Sequence, residues 1–235
     1  AKKKAATMAS NPAVILEKFT EIARSGKDIL HISFSSALSG GYSNIVSGAN
    51  EVMEEYPDMK IKVVDTLSVS LAEGILIKAA LDMRASGKSV EETAAYVESL
   101  VPHLCVQFTV DDLNHLYRGG RLSKTTAIVG TLANIKPILY IDDQGKLVAL
   151  DKMRGRKKSL NLLIKNMADR LGSFRDKQVF VGIVHGDCEE DANYLAELVR
   201  REFGYDDIII QPVGPSIGAH SGPGAIGLLF LGDHR

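Results

Sequence analysis

The sequence predicts an α/β protein of two domains, and three observations carry that reading. Short β-branched runs alternate with longer amphipathic ones, the boundaries carry cap and turn residues, and past Val101 the alternation takes in a hairpin. Strands separated by helices argue for a mostly parallel sheet in residues 1–101. A hairpin combined with crossovers argues for a mixed sheet in 102–235, with the boundary at Val101–Pro102.

In order, NPAVILEKFTEIARSG predicts a helix with Asn11 as N-cap, Pro12 at the first helical position and Gly26 just past the end. DILHISF is a strand, and a helix follows from Tyr42 to Tyr56. KIKVVDT is the next strand, and a helix over 68–84 follows it. Another helix opens with the capping box Ser89-x-x-Glu92. LCVQFTV predicts a strand and DDLNHLYRGGRLS a short helix ending in a glycine loop. KPILYIDDQGKLVALDKMRG predicts two strands turning at Asp142–Gly145. A helix over 158–171, the strand KQVFVGIVHG, a helix over 189–203 and the strands DIIIQPVG and AIGLLFLG complete the chain. The first element is a helix preceded only by AKKKAATMAS, whereas doubly wound domains usually begin with a strand. An opening strand is therefore expected to be missing from this sequence.

Composition sets bounds on function. Over 235 residues, 45% are apolar, and 28 Lys and Arg face 29 Asp and Glu, so no global field favours nucleic acid or an anionic membrane. Cys105 and Cys188 match no metal spacing and suit a reducing compartment. No apolar stretch follows Lys2, Lys3 and Lys4 as a signal peptide requires, and no run approaches a membrane span, so a cytoplasmic protein is expected.

Two polar loops stand where open α/β sheets bind ligands, beyond the carboxyl ends of strands. FSSALSGGY offers the hydroxyls of Ser35, Ser36 and Ser39, while Gly40 and Gly41 let a ligand approach the amides opening the next helix. GPSIGAHSGPGAIG reads as a second loop, with His220 among glycines and prolines. Hydroxyls, amides and an imidazole suit a carboxylate or phosphate. Such residues also serve as plain caps and turns, and Gly119-Gly120-Arg121 reads equally as a helix C-cap and a solvated arginine. The residues alone leave both readings open.

The set SSALSGGY, VVDTLSVSLAEG, FTVDDLNHLYRGGRLS, LANIKPIL, KMRGRKKSL and GPSIGAHSGPGAIGLLF, in that order, resembles the DegV family of bacterial fatty-acid-binding proteins. The resemblance implies two α/β domains with a long-chain fatty acid between them. It implies a carrier rather than an enzyme, one that presents the fatty acid to a separate, ATP-using subunit of fatty acid kinase for phosphorylation of its carboxylate. By the same resemblance Ser39, His220 and Thr7 hold the carboxylate beside Gly40, and Arg121, Arg154 and Arg156 dock the kinase. No other cofactor, metal or catalytic residue is implied, and a monomer is expected. Gly41 replaces the family's threonine, TMASNP departs from the family's segment around Thr7, and the family's N-terminal strand is absent. Two other classes stay open: the substrate subunit of a small-molecule kinase of dihydroxyacetone type, and a hydrolase with Ser39 as nucleophile and His220 as base. Ser39 lies in no G-x-S-x-G elbow.

Overall fold

A computed structural model describes residues 6–122 and 134–235. Lys2–Lys4, and Ser123, Leu132 and Ala133 of the motifs quoted above, lie outside the described residues.

Local chemistry sets the element ends. Helix α1 (Pro12–Arg24) starts where the Asn11 side chain accepts from the Ala13 N–H at 3.0 Å. Strand β1 (Ile29–Ser33), α2 (Gly41–Glu55) and β2 (Ile61–Asp65) follow, and β1 and β2 pair in parallel. After α3 (Leu71–Ala85), α4 (Val90–Leu100) opens with the expected capping box. The Glu92 N–H donates to Ser89 Oγ at 3.2 Å, and the Ser89 N–H donates to Glu92 Oε2 at 3.0 Å.

The remaining strands are β3 (Leu104–Thr109), β4 (Ile135–Ile141), β5 (Leu147–Arg154), β6 (Val181–His185), β7 (Ile208–Pro212) and β8 (Ile226–Leu231). They form one sheet in the order β5-β4-β3-β8-β6-β7. Only β6 and β7 run parallel, so this sheet is mixed, as the hairpin predicts. Short helix α5 (Asn114–Arg118) follows β3, α6 (Arg156–Leu171) follows β5, and α7 (Glu189–Phe203) links β6 to β7. One expectation fails: the stretch read as a loop before β8 contains a helix, α8 (Pro215–Ser221), with Pro215 at its first turn.

Period-2 alternation places the large sheet between two apolar layers. From β8, Leu228 and Phe230 face α6 and α7, packing with Leu163, Met167 and Leu195. Leu229 and Leu231 face the other way, toward Ile75 and Leu76 of α3 and Val97 of α4. The core is thus continuous across Val101–Pro102, although the two sheets lie on either side of that point in the sequence. A separate cluster joins α1 and α2 to the outer face of the small sheet through Ile15, Phe19, Val52 and Ile61. On its other edge, among the described residues, β1 has no strand partner. A groove of about 690 Å³ runs there, with Ile77 and Leu81 of α3 exposed in it.

Arg235 ties these parts together. Only 7% exposed, its guanidinium donates to the carbonyls of Thr66, Leu67, Val101 and Asp142. These carbonyls belong to the β2–α3 loop, the α4–β3 junction and the hairpin turn, so one side chain fixes three segments around the cavity described next.

Candidate functional site

The apolar face of the large sheet is only partly covered by α3, and between it and the loops after β1 and β2 lies a cavity of about 280 Å³. Its body is apolar, built from Val106 of β3, Ile141 of β4, Val184 of β6 and Leu229 of β8, all buried. Phe34 and Leu38, from the loop after β1, close over it. That volume lies just below the roughly 300–1,000 Å³ of small-molecule sites, which favours a small or single-chain ligand.

Polar groups gather at one end. Thr7 and His220, 213 residues apart, meet with Thr7 Oγ1 at 2.7 Å from His220 Nε2. Ser39 lines the same cavity, and its Oγ accepts the N–H of Gly41 at 3.1 Å. Arg121 lines it too, its Nε donating to the Leu38 carbonyl at 3.1 Å and its Nη1 to the Gly119 carbonyl. Met8, also on the cavity wall, is 95% exposed, so this end is the one nearest solvent.

The histidine's electronics follow from its surroundings. Burial, reinforced by the Arg121 charge, lowers its pKa below the ordinary imidazole value, so the ring is neutral at pH 7. Its Nδ1 is buried with no hydrogen-bond partner among the described residues. An orphaned N–H costs more than an orphaned lone pair, which puts the proton on Nε2, donating to Thr7 Oγ1. The Thr7 hydroxyl hydrogen is then free to donate to a ligand.

Thr7, Ser39 and His220 therefore share one cavity. Gly40 is not on its wall: it is the exposed N-cap residue of α2, and nothing lies within 4 Å of where its Cβ would be. Ser35 and Ser36 also turn elsewhere. Ser35 is fully buried and donates through Oγ to the Gly145 carbonyl of the hairpin turn at 2.9 Å, while Ser36 gives its N–H to Asp65.

The three arginines have different placements. Arg121 is half-buried in the cavity wall rather than solvated. Arg154 is exposed at the end of β5. Arg156 is held by Asp191, Nε to Oδ2 at 2.7 Å, and lies 3.6 Å from Asp111. Its charge is therefore engaged within the chain, which runs against a free docking role.

Sequence reasoning missed Ser70, on the cavity wall at φ 60° and ψ −132°. Serine carries no signal for that strained backbone. It also read Arg121 as surface, although Gly119-Gly120, which turns the chain back from α5, was visible. Among the described residues, no group of three or more His, Cys, Asp or Glu side chains could hold a metal ion. Among them, too, no helix is long and apolar enough to cross a membrane.

A family model described as an uncharacterised protein of the DegV family matches residues 1–233, and the chain belongs to that family. It is 43% identical over 220 residues to the DegV domain-containing protein CPE0026 of Clostridium perfringens, covering 94% of this chain and 75% of that one. Its fold matches the fatty-acid-binding DegV family protein SAG1342 of Streptococcus agalactiae with a TM-score of 0.84 at 28% identity, covering 100% of this chain and 81% of that one. The fold is also that of the Streptococcus pneumoniae fatty acid kinase B3 protein loaded with linoleic acid, with a TM-score of 0.87 at 23% identity over 99% of this chain and 80% of that one.

Proposed function

We propose that this protein binds a long-chain fatty acid, its tail in the apolar body of the cavity and its carboxylate at Ser39 and at the Thr7–His220 pair, where the imidazole holds the Thr7 hydroxyl toward it. The observation that carries the reading is an apolar cavity with the Thr7–His220 pair at its solvent end. Burying each CH₂ contributes about 0.8 kcal/mol, so a long tail supplies on the order of 10 kcal/mol gross. The hydroxyls then serve mainly to orient the head, and Arg121 supplies positive charge next to it.

The carrier role extends this reading. A carboxylate held at the exposed end is reachable by a separate kinase subunit, and the fatty acid kinase B3 protein of S. pneumoniae has the same fold. Arg154, exposed, is the docking arginine the geometry leaves free. We extend the two-domain division, 1–101 and 102–235, in the same spirit: the cavity draws its walls from both sides of that boundary. The rival readings have less support. His220 Nε2 is taken by Thr7 rather than by Ser39, as a hydrolase would need, and a small ketone would leave the apolar body unfilled.

Competition against cis-parinaric acid tests the proposal. Oleate should displace the probe, while dihydroxyacetone should not. Failure of the probe to bind the protein, once stripped of lipid, would count against it.

A further inference from the structure

The Gly119-Gly120 pair closing α5 divides its labour. Gly120 sits at φ +74°, in the left-handed region, and its N–H donates to the Tyr117 carbonyl at 2.9 Å, so the turn itself requires that glycine. Gly119 sits at φ −74° and ψ −8°, where any residue is at ease. The backbone gives no reason for glycine there, but the packing does. A Cβ on Gly119 would fall deep inside van der Waals contact with His220 Nδ1, with Cε1 at 3.0 Å and Cγ at 3.2 Å.

The contact is reciprocal. Gly222, just past the end of α8, faces the His115 ring of α5, and a Cβ there would lie 2.6 Å from its Cδ2. Each short helix thus seats the other's histidine on a glycine. We infer that Gly119 is a positioning residue for the head-group site, its bare Cα fixing the His220 ring where Nε2 reaches Thr7. The Gly119 carbonyl also accepts from Arg121, so one residue sets both the imidazole and the guanidinium. The consequence for ligand binding rests on the fatty-acid reading; the seat itself does not.

The test uses the full chain with ¹⁵N-labelled histidine. In Gly119→Ala without lipid, the His220 ring resonances should move and its titration midpoint should rise toward the ordinary imidazole value. Affinity for cis-parinaric acid should fall about tenfold or more. Because the obstacle is the ring, Gly119→Ala should cost neither stability nor affinity in a His220→Ala background. Unmoved His220 resonances in a folded Gly119→Ala, or an equal stability cost with and without the ring, would overturn the inference. If Gly119→Ala fails to fold, a folded double variant still supports the seat, and failure of both contradicts it. If the ring moves while the parent protein takes no fatty acid, the seat stands and the fatty-acid reading falls.

Discussion

Thr7 Oγ1 and His220 Nε2 lie 2.7 Å apart, joining the segment before α1 to the last turn of α8 at the cavity's open end. If this pair receives the carboxylate, Thr7→Val should weaken fatty-acid binding by about one to two orders of magnitude, the worth of a charge-assisted hydrogen bond. His220→Ala should act similarly. The double variant should fall short of the sum, because His220 acts on the head through the Thr7 hydroxyl it orients. Equilibrium titration of all three variants checks this, and strict additivity would separate the two residues.

Asn11, Pro12 and Gly26 bound α1, and Ser89 with Glu92 opens α4, because caps and turns are local chemistry written within a few residues. Helix α8 was not legible: glycines flank it, and it is braced by His115 and Gly119 of a distant helix. The Ser35 hydroxyl points at Gly145, 110 residues away, and Arg156 at Asp191, so neither partner could be read from its own neighbourhood. Ser39 and His220 stand out in their polar loops, Thr7 comes only through the family resemblance, and the fold brings all three to one cavity.

Ser39 has two duties to separate. Its Oγ accepts the Gly41 N–H at the start of α2, so Ser39→Ala should cost about 1 kcal/mol of stability without ligand. If it also holds the carboxylate, affinity should fall by roughly 1.5–3 kcal/mol, about ten- to a hundredfold. Urea unfolding and ligand titration on the same sample distinguish the two. Lost stability with unchanged affinity would reduce Ser39 to a cap.

The arginines should respond differently to charge reversal. Arg154→Glu, at an exposed site, should leave stability and fatty-acid binding unchanged and lower phosphorylation by a kinase subunit. Arg156→Glu would set a carboxylate against Asp191 and Asp111, and should lower the melting temperature. Arg121→Glu should weaken fatty-acid binding itself, because it faces the cavity. Thermal melts, titrations and a kinase assay separate the three. Unchanged phosphorylation with Arg154→Glu would remove it as a docking residue.

Glu73, in the first turn of α3, has its carboxyl pKa pushed up to about 7 by burial, against the opposing Ser70 N–H. Between pH 4.5 and 7 the folded protein keeps a proton that the unfolded chain has lost. Its stabilising contribution is therefore complete below pH 4.5, declines to pH 7 and is absent above it, a change on the order of 1–3 kcal/mol. Glu73→Gln should flatten that slope and exceed the parent protein's stability at pH 8. Urea midpoints at pH 5 and pH 8 provide the check, and an unchanged slope in the variant would assign the pH dependence elsewhere.

Native mass spectrometry of the protein purified from bacterial cells shows whether the cavity holds a long-chain fatty acid. A tail buried among Val106, Ile141, Val184 and Leu229 should survive purification. The expected result is a mass increment matching one fatty acid of about 14 to 20 carbons, the range the family resemblance suggests, with each buried CH₂ adding about 0.8 kcal/mol to its retention. That increment should diminish in the Thr7→Val, His220→Ala double variant. A bare mass for the parent protein that stays bare after incubation with oleate would contradict the account.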